Sequence, residues 1–204
     1  AEVRTDDNLQ EFVRVSVSGG ELEVTISSHA ASVEPTDGVV VRVTGSGRIR
    51  SLEASSAAKI LVDTPLECRE LELAASSAAK IRVDACVGEC AIRVSSAAQI
   101  AAQIAGDRVE VAASSASSVK LQGAVAVAEL RASSAADIEA AKLKVGACEA
   151  EASSAADITV CCLRELEART SSGGSVYYYG DPSIVRSHDS SGGSTVWRKS
   201  RNNR

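Results

Sequence analysis

The six cysteines, Cys68, Cys86, Cys90, Cys148, Cys161 and Cys162, have the widest chemical range of any residues in this chain. A thiolate can bind metal, enter a disulfide or attack a carbonyl. The Cys86-x3-Cys90 step falls within the spacing of zinc-ligand pairs. Cys90 and Cys148, however, occupy the same inward place in a repeated unit, five residues before a recurring serine, which Leu71, Val109 and Ala128 hold in other copies. They read as small buried hydrophobes. Cys68 and Cys86 lie eight and nine residues before the next such serine, so one disulfide between adjacent units is expected in an oxidising compartment. Only His29 and His188 are present, and their spacing offers no Cys–His dyad. No metal and no cofactor is expected.

A second set is acidic. Counting four residues on from each recurring serine gives Lys59, Lys80, Gln99, Ser118, Asp137, Asp157, Ser175 and Ser194. In stacked strands Asp137 and Asp157 stand ~4.8 Å apart with Glu139 beside them, a pairing that suits a cation or glycosidic chemistry. Lys59 and Lys80 share the column, so a solvated edge is the simpler reading. The third set is aromatic. Four of the five rings in the chain, Tyr177, Tyr178, Tyr179 and Trp197, fall near its end. Tyr178 continues an inward series after Val83, Leu121 and Val160, which turns Tyr177 and Tyr179 outward as candidate partner-binding residues. No catalytic residue is assigned.

The element that must position all of these is the tandem phrase Ser-Ser-Ala-Ala-x-Ile. Its leading serine recurs at Ser55, Ser76, Ser95, Ser114, Ser133, Ser153, Ser171 and Ser190, in steps of 21, 19, 19, 19, 20, 18 and 19 residues. A period near 20 marks a solenoid, whose units close a core only by stacking. Positions five, three and one before the serine are small or apolar, as in Leu71, Leu73 and Ala75 or Cys90, Ile92 and Val94. The positions between hold Glu72, Arg93, Glu110, Glu129, Glu149 and Glu167 and are expected to face water. A second inward column runs through Ile60, Ile81, Ile100, Val119, Ile138, Ile158 and Val176. Alternation of this kind is a strand with one buried face.

The expected fold is all-β: a parallel β-helix of ~19-residue coils, right-handed by the rule for parallel crossovers, preceded by a β-hairpin. The hairpin is read from Phe12–Val17 and Glu21–Ile26 split by Gly19-Gly20, and Asp37-Gly38 marks a further turn. The divisions are a flexible start at 1–11, a β cap over the solenoid edge at 12–44, repeats at 45–198 and a basic tail at 199–204. The final copy leaves open whether Thr195 or Val196 points inward. The corner hydroxyls are placed to bond along the stack or to backbone groups at the bend.

A net charge of −5 spread along the chain leaves no basic stripe for phosphates, so no nucleic-acid partner is expected. No stretch is long and apolar enough for a membrane span, and none follows Ala1 as the core of a signal peptide. The protein is cytoplasmic, or an export signal has been removed.

The run Ser171-Ser172-Gly173-Gly174-Ser175-Val176-Tyr177-Tyr178-Tyr179-Gly180-Asp181-Pro182, followed by Ser191-Gly192-Gly193-Ser194, resembles the C-terminal signature of a bacterial family common in Bacteroidetes, the auto-transporter adhesin, head GIN domain family. The resemblance covers about Gly45 to Trp197, and more loosely the hairpin. It implies an exported β-helical protein of the periplasm, outer membrane or cell surface, held there by a lipid anchor on a removed N-terminus, with no catalytic residues to carry over.

A non-enzymatic, adhesin-like module that binds a surface polysaccharide or protein is therefore expected. A β-helical polysaccharide lyase or hydrolase is the enzymatic alternative. A self-assembling scaffold resembling bactofilins is the structural one.

Overall fold

The computed structural model describes residues 2–4, 10–27, 40–44 and 48–199. His29, the Asp37-Gly38 turn and the tail after Lys199 lie outside them. Two compact units result, Ala1–Gly47 and Arg48–Arg204.

In the first unit, β1 (Glu2–Arg4) pairs antiparallel with β4 (Val40–Arg42). Polar composition alone had pointed to a frayed start here, and the cross-strand pair Val3–Val41 is the apolar contact the two strands share. After a 3-10 turn at Gln10–Phe12, β2 (Val13–Ser18) and β3 (Glu21–Ile26) form the expected hairpin. Gly19 and Gly20 take φ of 60° and 85° at its tip, the backbone that a two-residue hairpin turn demands. Val13–Ile26, Val15–Val24 and Val17–Leu22 are cross-strand pairs, so one face of the hairpin is apolar.

The second unit is a parallel β-solenoid of about eight turns. Its strands are β5 (Ser51–Ala54), β6 (Lys59–Leu61), β7 (Leu66–Ala75), β8 (Lys80–Val94), β9 (Gln99–Ala113), β10 (Ser118–Ala132), β11 (Asp137–Ala152), β12 (Asp157–Thr170), β13 (Ser175–Tyr179), β14 (Ile184–Asp189) and β15 (Ser194–Trp197). Equivalent positions pair in register, as in Ile81 with Ile100 and Ile100 with Val119. Each inward column predicted from the repeat is buried between Leu71 and Val176. Alanine supplies much of this core, because facing strands approach too closely for larger side chains at every position.

The tight corner has a feature hidden in its composition. Its second and third residues sit in the left-handed region, from Ser56 and Ala57 (φ 53° and 63°) to Ser154 and Ala155 (53° and 59°). The fourth residue donates back to the first, as Ala58 N to Ser55 O at 3.0 Å. Two positive φ values closed by that bond make a type I′-like turn. Left-handed backbone costs an L-residue roughly 1–2 kcal/mol; the stack offsets it. Ala57 N donates to Ser77 O at 2.8 Å, Ala78 N to Ser96 O at 2.9 Å, and so on to Gly173 N and Ser191 O. Backbone amides, more than serine hydroxyls, thus tie the corners together. Gly173 and Gly192 show the relaxed alternative, with φ of 75° and 78°. Ala116→Gly should therefore raise stability by about 0.5–1 kcal/mol, the backbone gain less glycine's extra unfolded entropy. A denaturant midpoint below the parent's would contradict it.

Outward positions carry a charged ladder. Glu110, Glu129, Glu149 and Glu167 are consecutive register partners, so four carboxylates stack at ~4.8 Å. Arginines in neighbouring columns separate them. Arg108 pairs with Glu110 at 2.9 Å and with Glu129, Arg131 reaches Glu129 at 3.5 Å and Glu151 at 3.8 Å, and Arg169 joins Glu149 to Glu167. Glu129 was expected to be exposed like Glu110; held between two guanidinium groups, its side chain keeps only 21% of its accessible surface.

Candidate functional site

The cysteines separate by facing. Cys90, Cys148 and Cys162 are buried in the core, and burial pushes the Cys90 thiol up to about 12 and raises that of Cys148. These are inert thiols at neutral pH. The Cys68–Cys86 disulfide is not formed: Cys68 pairs with Val87 and Cys86 with Glu67. A register offset of one residue puts the two side chains on opposite faces of the strands. The in–out alternation breaks at Gly88-Glu89, between buried Val87 and buried Cys90, so Cys86 faces outward and Cys90 inward and the x3 pair cannot converge on one ion.

Asp137 and Asp157 are register partners as expected. Both are exposed. Partial loss of hydration, with like charge from Glu139 and Asp157, raises the Asp137 pKa, and Lys120 pulls it the other way. Glu139 is engaged by Lys120 at 3.0 Å. No wall encloses the pair: a shallow groove of about 250 Å³ lies several coils away, against Glu53, Arg93 and the corner serines Ser55, Ser76 and Ser95. Among the described residues no group of three or more His, Cys, Asp or Glu is arranged to hold a metal ion.

The last coils hold a cluster of a different kind. Val160 pairs with Tyr178 and Tyr178 with Trp197. Tyr178 packs against the core, while Tyr177 and Tyr179 face outward and are half-buried. The Arg198 guanidinium lies 3.8 Å from the centre of the Tyr177 ring, a cation–π stack. Arg198 N donates to Tyr178 O at 2.8 Å, and Trp197 Nε1 donates to Gly180 O at 3.1 Å. Trp197 remains 54% exposed. Trp197 and Arg198 were not among the expected site residues. The 19-residue step from Tyr178 to Trp197 was the available signal, but it cannot show an arginine reaching diagonally across a strand.

A polar plug closes the core beside this cluster. Thr195 pairs with Val176 and so takes the inward place left open by the sequence. Asp189 Oδ1 accepts from Thr170 Oγ1 at 2.6 Å and from Thr195 Oγ1 at 2.7 Å, and Oδ2 accepts from Thr195 N at 3.1 Å. These hydrogen bonds, Thr170's first, lower the Asp189 pKa from 3.8. A carboxyl depressed in the folded state adds stability above its unfolded value and loses it as pH falls through its folded one. Protection of the Thr195 amide against hydrogen exchange should therefore fall below pH 3.8 in the parent. In Asp189→Asn it should already be low at neutral pH and should not change across that window.

The geometry defines a parallel β-solenoid with an aromatic, cationic patch on its final coils. The chain belongs to the family described as "Putative auto-transporter adhesin, head GIN domain", whose profile matches residues 1–182. Solved structures agree at the level of the fold. A putative adhesin from Parabacteroides merdae ATCC 43184 superposes with a TM-score of 0.88 at 19% identity, over 98% of this chain and 82% of that one. A putative lipid binding protein from Parabacteroides distasonis ATCC 8503 gives 0.85 at 19%, over 98% and 83%. A putative adhesin from Bacteroides fragilis NCTC 9343 gives 0.65 at 19%, over 94% and 79%. No curated protein matches the chain.

Proposed function

We propose that the protein is a non-enzymatic, adhesin-like binding module exported to the cell envelope or surface, and that Tyr177 and Tyr179 hold its partner, a polysaccharide or a protein. The observation that carries this reading is the gathering of Tyr177, Tyr179, Trp197 and Arg198 on adjacent strands, on a solenoid whose other outward positions are mostly Ala, Ser and charged residues. Rings bury a large area at little cost in conformational entropy, which suits them to recognition. Family membership and the adhesin descriptions of two structural neighbours support the class. The exposed Asp137–Asp157 pair lacks the enclosing cleft that would shield a reacting sugar from water, which favours binding over turnover.

Tyr177→Ala combined with Tyr179→Ala tests it. The expected result is loss of attachment to envelope polymers with a melting temperature close to the parent's, since removing the Arg198 stack costs only about 0.5–1 kcal/mol at such a site. A strongly lowered melting temperature would assign the rings to capping the solenoid instead. Polysaccharide cleavage by the parent that Asp137→Asn abolishes would replace binding by enzymology.

A further inference from the structure

The arginines of the glutamate ladder are spent on carboxylates, as is Arg186 on Glu165 at 2.5 Å. Two cations stand side by side just after β15. Arg198 and Lys199 are exposed and, among the described residues, neither has a carboxylate partner. The one acid of β14 and β15, Asp189, is engaged by Thr170 and Thr195. His188, on β14, is exposed as well. The Arg198 guanidinium is fixed by its face on Tyr177, which leaves its in-plane N–H groups for an acceptor. A planar fork held in this way matches a carboxylate or sulfate.

We infer that the ligand of this end is an anionic polysaccharide. Resting on the binding role proposed above, this assigns its chemical class. Tyr177 and Tyr179 are two strand steps apart, ~6.8 Å, and offer faces to the C–H sides of successive sugar rings. Arg198, with Lys199 beside it, takes the acidic substituents. The chain's net charge of −5 disfavours a polyanion over the surface as a whole, so the ring-backed cations of this end set where it is held.

Titration calorimetry of the parent with polygalacturonate, with neutral galactan and with phosphatidylglycerol vesicles tests the inference. Polygalacturonate should bind, galactan should bind at least tenfold more weakly, and the preference should shrink as salt rises from 0.05 to 0.5 M. Arg198→Ala should weaken polygalacturonate binding about tenfold, the order expected for one charge-assisted contact, and Lys199→Ala should weaken it less. Lys59→Ala, at the far end, should change nothing. Equal affinity for the two polysaccharides, lost in the Tyr177, Tyr179 double variant, would keep the binding role and overturn the anionic ligand. Binding to vesicles alone would overturn the polysaccharide, and binding to none of the three would overturn the anionic polysaccharide while leaving the binding role to the attachment test of the double variant.

Discussion

Ile100→Ala should destabilise the protein by about 2–5 kcal/mol, the range for removing a large aliphatic side chain from a core. Ile100 is 1% exposed and stands in register between Ile81 and Val119. The size of the effect follows from how little this site can relax. In a helical bundle a neighbouring helix can shift into the void. Here the strands above and below are fixed by the corner bonds Ala97 N to Ser115 O and Ala78 N to Ser96 O, so the cavity stays open. For a chain of this length the loss lowers the melting temperature by roughly 4–20 °C. Ile60→Ala in the same column is the internal comparison. Ile60 is only half-buried at the first coil, so its removal should cost clearly less. Calorimetric melts of the two variants check both, and an Ile100→Ala protein that melts with the parent would break the assigned register.

The same columns show why the fold was legible and where legibility ended. Leu71, Leu73, Ala75 and their equivalents repeat with strand parity in the six copies from Ser76 to Ser171, and nothing except stacked coils buries them all. Parity also misled. Counting placed Cys68 and Cys86 within one residue of equivalence, and in a strand that single residue is the difference between core and solvent. Glu129 was misjudged because an outward position becomes sheltered when one arginine arrives from the preceding coil and another from two residues along its own strand, and such contacts come from side-chain reach, which periodicity does not encode. The corner is the deepest case. Ser-Ser-Ala-Ala carries no glycine to announce positive φ, and alanine alone would favour a right-handed helix. Only the amide-to-carbonyl stack, a property of the assembled solenoid, holds Ala57 through Ala155 in the left-handed region.

This division between sequence and stack bears on the site. Outward placement of Tyr177 and Tyr179 followed from the repeat, because Tyr178 had to continue the column of Val160. The contacts around the rings are not periodic. Trp197 on β15 is 54% exposed, and Arg198 lies outside the carboxylate ladder and rests on the Tyr177 ring. End coils of repeat proteins differ from the rest because they must face water. Here Thr170, Asp189 and Thr195 form a hydrogen-bonded polar cluster at the solvent-facing end of the core.

Gly123→Ala should cost roughly 2–6 kcal/mol, and it tests the looser bend of the coil as Ile100→Ala tests the core. Gly123 has φ of +116°, a backbone conformation that L-residues rarely hold and that carries a penalty of about 1–3 kcal/mol. A Cβ there would also lie 2.1 Å from the carbonyl oxygen of Ile104, its register partner in the preceding coil. Because the obstacle is backbone, relief requires moving a strand, and forced overpacking adds about 1–3 kcal/mol. Gly106 shows that the approach is general: a Cβ on it would lie 2.0 Å from Val87 O. Glycine at this bend thus lets one coil settle onto the carbonyl of the last. Gly173→Ala separates the two causes. It too has positive φ, 75°, but a Cβ would meet nothing within 4 Å, so only the conformational cost of about 1 kcal/mol is expected. Six interior corners already tolerate alanine at that position. Equal losses for the two alanine variants, measured as denaturant midpoints at unchanged slope, would show that close packing of the bend contributes nothing and that φ alone selects glycine at both corners.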